Sequence, residues 1–197
     1  MLKVSYQVIR ASVPLLELAR DQALLRAETD PVAEGLARYL TRHVEEERGH
    51  DEWLRDDLGI LGVSARELDD AVPSPHVAGM VGAQHFWARH THPVSTLGYL
   101  AVLEGEPPEE SFFVDVARRT GLPEAAFSTL RYHARVDREH WQDLLDLVDA
   151  LPLEERHLSL IGLSMLHTCN GMAAAIQQVM EGASSPGLAT ALDLRQE

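Results

Sequence analysis

The stretch AFSTLRYHARVDREHWQDLLDLVDAL, residues 126–151, decides how this chain reads. Ala126, Leu130, His133, Asp137, His140, Leu144, Leu147 and Leu151 recur in alternating steps of four and three. That spacing predicts one face of a single helix. Leucine holds both ends of the face, while an imidazole, a carboxylate and a second imidazole hold its middle. Burying three such groups without partners is costly. Bound metal would satisfy all three.

Two earlier segments repeat the pattern. Leu36, Leu40, His43, Glu47, His50, Leu54 and Leu61 trace one face of a predicted helix. Within it, Glu47 and His50 form Glu-x-x-His, a spacing that aims both side chains at one point on a helix. Leu97, Leu100 and Glu104 mark a third face, where Glu104 ends an apolar run. Taken singly, each signal has an ordinary reading. Glu45-Glu46-Glu47-Arg48 also fits a solvated charged face, and Glu104 also fits a helix end before Gly105. Taken together, three helices offer carboxylates or imidazoles where leucine belongs.

Helix geometry favours two ions over one. At about 1.5 Å rise per residue, His133 and His140 stand roughly 10 Å apart along the axis, too far to share one ion. Asp137 and His140 can share one, and His133 then reaches a neighbour. Two ions roughly 3.5–4 Å apart, bridged by a carboxylate such as Glu104, would use every group. Imidazole with carboxylate suits iron, and manganese is compatible. Zinc stays open, although the lack of thiolate ligands removes one common structural option.

Composition bounds the rest. The chain has 197 residues, 45% of them hydrophobic, enough for one domain, 1–197, with a substantial core. A net charge of −14 argues against nucleic-acid binding and against docking on anionic membranes. Cys169 is the lone cysteine, so no intrachain disulfide forms and the reducing cytoplasm is the expected location. The first residues carry no apolar signal core, and no apolar run is expected to span a membrane.

Periodicity predicts an all-α chain of seven main helices. They run from Pro14 to about Arg26, Pro31 to about Leu58, and His76 to Arg89. Then come Val94 to Glu104, Glu109 to Thr120, Pro123 to Ala150, and Pro152 to about Met180. Asp30-Pro31 is a cap followed by proline at the first helical position, and Ser64-Ala-Arg-Glu67 suggests a short extra turn. The tail from about residue 183 is expected to pack loosely. Bundles build metal sites from polar groups on facing inner stripes. The ferritin-like version needs two Glu-x-x-His motifs on inner stripes, and the three faces above carry one.

These residues resemble the haem-oxygenase-like di-iron oxidases and oxygenases, the iron-containing redox enzymes related to thiaminase II and PQQ-synthesis proteins. His133-x-x-x-Asp137-x-x-His140 matches the last ligand helix of that family. Glu47-x-x-His50 matches an earlier one, and Glu104 falls where a bridging glutamate is expected. The resemblance covers roughly residues 31–151. It implies a seven-helix haem-oxygenase-like bundle and two irons that activate dioxygen. Glu47, His50, Glu104, His133, Asp137 and His140 would be the ligands. The family usually supplies one further glutamate, for which Glu17 and Glu46 are candidates; His43 could take that place instead.

The implied activity is oxidation or oxygenation of a small organic molecule: an amine, an amino acid or a carrier-bound substrate. An external electron donor is a compatible partner, and a homodimer is the base-rate oligomer. Two other readings stay open. One is a metal-free, thiaminase II-like hydrolase using Cys169, which also fits a buried small hydrophobe. The other is a non-catalytic helical binding protein. His85, His90 and His92 crowd a stretch that ends at Pro93, and His167 sits near Cys169. They are candidates for the substrate pocket, and equally for a helix end facing water.

Overall fold

The computed structural model describes residues 1–105 and 107–184. Among these, nine α-helices follow one another, with no strand. They are α1 (Leu2–Leu24), α2 (Pro31–Glu47), α3 (His50–Ile60), α4 (Ala65–Asp70), α5 (Pro75–His90), α6 (Thr96–Leu103), α7 (Glu110–Thr120), α8 (Ser128–Ala150) and α9 (Glu155–Ser184). Short 3-10 turns at Pro93–Ser95 and Glu124–Phe127 lead into α6 and α8. The tail beyond residue 184, expected to pack loosely, lies outside the described residues.

Helix α1 is the central element and packs against α2, α3 and α5. It begins at Leu2 rather than at Pro14, which sits inside it. A buried stripe of Val4, Val8, Leu15, Leu16, Ala19 and Ala23 carries the helix through the proline. Leu36 and Leu40 of α2, Leu97 and Leu100 of α6, and Leu144 of α8 complete the main core with these residues. Asp30 caps α2 by accepting from the amides of Val32 and Ala33 at 2.9 and 3.1 Å.

The predicted helix from Pro31 to Leu58 is two helices. It breaks at Arg48–Gly49, where Gly49 takes φ 89°, a left-handed conformation that glycine adopts without steric cost. Leucines continue on both sides, so the hydrophobic period runs across the break and hides it. The break leaves Glu47 as the last residue of α2 and His50 as the first of α3.

Asp57 fixes the start of α8 from outside that helix. This buried carboxylate of α3 accepts from Ser128 Oγ at 2.5 Å and from the Thr129 amide at 2.8 Å. It satisfies an amide that the helix cannot pair within itself. One further expectation changes: α9 is long and apolar enough to cross a membrane by length and composition, though it packs against α5 and α6 here.

Candidate metal centre

The break at Gly49, the end of α6 and the middle of α8 bring eight ionisable side chains together. His43 and Glu47 come from the last turns of α2, His50 from the start of α3, and Glu104 from the residue after α6. His133, Asp137 and His140 project from α8. Glu46 lies at the solvent edge.

Two groups of three result, and in each the ligand-capable atoms lie within 4.8 Å of one another. The first is His43, Glu104 and His140; the second is Glu47, His50 and His133. In the first, His43 Nε2 stands 2.9 Å from Glu104 Oε1. In the second, Glu47 Oε2 lies 3.2 Å from His50 Nδ1 and 3.9 Å from His133 Nε2. The other oxygen of Glu47 is 3.7 Å from His140 Nδ1, so this carboxylate straddles both groups. Asp137 Oδ1 stands 3.6 Å from the same nitrogen.

Glu104, expected as the bridge, has one oxygen on His43 and the other without a partner. The straddling position belongs to Glu47. The alternative ligand His43 joins a group, while the alternative Glu17 does not: it pairs with Arg48 at 3.1 Å. Glu46 approaches from the rim, 3.6 Å from His43 Nδ1 and 3.8 Å from His140 Nε2.

Neighbouring groups set ring orientation. His133 Nδ1 donates to the Thr129 carbonyl at 2.9 Å, which turns Nε2 toward Glu47. The Tyr39 ring stacks on His43 with centroids 5.3 Å apart. Trp53 and Tyr132 flank His50.

Without metal, the cluster balances its charge with protons. Burial pushes the Glu104 carboxyl up, and the Glu47 charge adds to this against the pull of His43. Burial would raise Glu47 as well, but pairing with His133 and His50 holds it far below the usual carboxylate range. Burial would lower the histidines, but acids outweigh it. Glu104 raises His43, and Glu47 with Asp137 raises His133. His140, beside Asp137, Glu104 and Glu47, is pushed up to about 9.

The residues fit a metal on an independent observation. Glu47 Oε1, Glu104 Oε2, Asp137 Oδ1 and His140 Nδ1 are all buried without a hydrogen-bond partner. Such orphans are rare in folded proteins and costly. Of the nine such atoms among the described residues, four fall in this one cluster, and every one of the four belongs to a residue that reads as a ligand from sequence. Neutral imidazole and carboxylate are the donors that iron and manganese accept.

A cavity of about 240 Å³ opens against the cluster. Val8 and Leu16 of α1, Leu100 and Leu103, Leu130 of α8 and Met172 of α9 form apolar walls. Glu47, Glu104, His133 and Asp137 form its polar end. The predicted pocket histidines do not line it. His85 lies on α5, and His90 packs against Phe86. His92 Nε2 donates to Asp30 Oδ2 at 2.9 Å, its Nδ1 accepting from the Val94 amide, and His167 meets Trp87. His90 and His92 thus sit at a helix end, and His167 at the α5–α9 seam. Cys169 is exposed and is absent from the cavity wall. The walls from α1 were not legible in sequence, since apolar residues there read only as core.

A protein-family model described as "Iron-containing redox enzyme" matches residues 11–191. Among solved structures, one similar chain is a domain of unknown function with a heme oxygenase-like fold from Shewanella denitrificans. It is 15% identical, with a TM-score of 0.72, covering 93% of this chain and 79% of that one. Another is a TenA homolog from Pseudomonas syringae pv. tomato, 11% identical with a TM-score of 0.63, covering 92% of this chain and 80% of that one. No curated protein sequence matches. At these identities the likeness is one of fold: a haem-oxygenase-like helical bundle.

Proposed function

We propose, given that this chain belongs to the family of iron-containing redox enzymes, that it is a non-haem di-iron, dioxygen-activating oxidase or oxygenase for a small organic molecule. The observation that carries this reading is the set of four orphaned buried atoms on Glu47, Glu104, Asp137 and His140. Two adjacent groups of three ligand-capable atoms support a pair of ions rather than one.

His43, Glu104 and His140 would hold one ion, and Glu47, His50 and His133 the other. Glu47 would reach both, and Asp137 would complete the set beside His140. Iron bound there supplies open coordination positions and electrons for the reduction of dioxygen. The chain's own residues do the rest. Thr129 fixes the His133 tautomer. Glu47, Glu104 and Asp137 offset the charge of the cations. The apolar walls hold the substrate against the cluster and exclude bulk water. A cavity of about 240 Å³ suits a molecule smaller than a typical drug-sized ligand. The partners are then this substrate and an external electron donor, in a cytoplasmic setting. The thiol-nucleophile alternative is not favoured, because Cys169 lies outside the cavity wall.

Anaerobic titration with ferrous iron tests the reading. Binding should saturate near two irons per chain, with an optical change on exposure to oxygen. His133→Ala, Asp137→Ala and His140→Ala should each cut the iron content sharply. Unchanged stoichiometry in all three variants overturns the assignment.

A further inference from the structure

One long face of α9 is covered by nothing among the described residues. Residues 158–180 contain no Asp, Glu, Lys or Arg, in a chain of which 24% is charged. The inner side of the helix is pinned. Ser164 Oγ donates to Gln84 Oε1 at 2.9 Å, and Gln84 Nε2 donates to Thr168 Oγ1 at 3.2 Å. A methyl group on Gly98 would strike the Ile161 carbonyl, so α6 lies directly against α9. The helix therefore cannot roll to hide its outer face. Leu158, Leu163 and Leu166 are left 53%, 51% and 67% exposed, and Phe86 on the adjoining α5 is 59% exposed. Only 22% of the apolar window of α9 is buried.

We propose that this face is a homodimer interface, with α9 packed against α9 of a second copy about a two-fold axis. Charge selects a copy of the same chain as the occupant. Two molecules at −14 each repel across any acidic surface, and this is a long stretch on which neither carries a formal charge. An uncharged apolar stripe complements itself under two-fold symmetry, which a stripe of one charge cannot do. Size agrees. The stretch is roughly 35 Å long, and with α5 beside it roughly 20 Å wide. That gives roughly 700 Å², on the scale of the ~800 Å² per partner in standard interfaces. Ser159, Asn170 and Gln177 on the same helix offer hydrogen-bonding groups, which suit a protein partner better than lipid.

The chain carries its own reporter. Exposed Cys169 lies at the midpoint of the 158–180 stretch. An antiparallel pair of helices centred there sets each Cys169 opposite its mate.

Light scattering on the full chain at micromolar concentration, with and without Leu166→Glu, tests the proposal. A short bis-maleimide reports on Cys169. The wild type should weigh twice 21.8 kDa and cross-link to a covalent dimer. Leu166→Glu should halve the mass and abolish the cross-link with helicity unchanged; Leu163→Glu serves if that variant fails to fold. A wild-type monomer overturns the proposal, as does a dimer indifferent to both substitutions. A monomer whose Cys169 resists a small maleimide means that residues 185–197 cover the face, and also overturns it. So does binding to neutral vesicles in place of dimerisation. Iron stoichiometry is measured separately and is unaffected by either outcome.

Discussion

At His140 the two ligand groups meet. Its Nδ1 faces Asp137 at 3.6 Å and Glu47 at 3.7 Å, and its ring edge meets His43. In the metal-free protein these acids outweigh burial and hold the ring protonated up to about 9, above its ordinary value of 6.5. A metal needs the lone pair that the proton occupies. Metal binding must therefore displace that proton, and apparent affinity should rise with pH up to about 9 instead of levelling off near 6.5. His43 and His133 shift in the same direction. Titrating the metal-free protein with zinc or ferrous iron at neutral pH, in weak buffer with an indicator dye, should release about one proton or more per ion. No release, or an affinity flat above pH 6.5, would contradict this picture. The same residue was legible in sequence, because it interrupts a leucine register. His43 was harder to rank: it sits on the leucine face of α2, and its 2.9 Å approach to Glu104 is visible only in the structure.

At the scale of elements, the site depends on where helices stop. Glu47 and His50 meet at 3.2 Å because α2 ends and α3 begins between them, not because one helix carries both. The Glu-x-x-His spacing brings the two side chains together, but across a helix break rather than along one helix face. Gly49 makes the break, and a Cβ there would meet no atom within 4 Å. Gly49→Ala therefore isolates the backbone cost of φ 89°, about 1 kcal/mol or somewhat more. We expect lower thermal stability together with weakened iron binding. A variant as stable and as iron-rich as the wild type would show that the break is not needed. The trans cap at α8 was likewise hidden in sequence. Asp57 reads there as one more acid on a helix, and its pairing with Ser128 and Thr129 spans more than 70 positions. Through Thr129, whose carbonyl receives His133, that cap also orients a candidate ligand. By contrast, the face of α8 from Leu130 to Leu147 was readable, since 3.6-residue periodicity is local; Ala126 falls in the preceding 3-10 turn and Leu151 just past the helix.

For the whole molecule, the helical class and the haem-oxygenase-like bundle were readable from periodicity and from the ligand motifs together. The cavity was not. Its walls come from α1, α6, α8 and α9, and apolar residues that line a hollow look in sequence like those that fill one. The outer face of α9 was missed for a related reason: an uncharged helix reads as core until its neighbours are known. On the proposed function, side chains from α2, α3, α6 and α8 cage two ions beside that cavity. Anomalous diffraction at the iron edge, on crystals grown anaerobically with ferrous iron, tests it most directly. Two peaks are expected, one among His43, Glu104 and His140 and one among Glu47, His50 and His133. A map with no peak at these residues, or with iron bound only elsewhere, would contradict it.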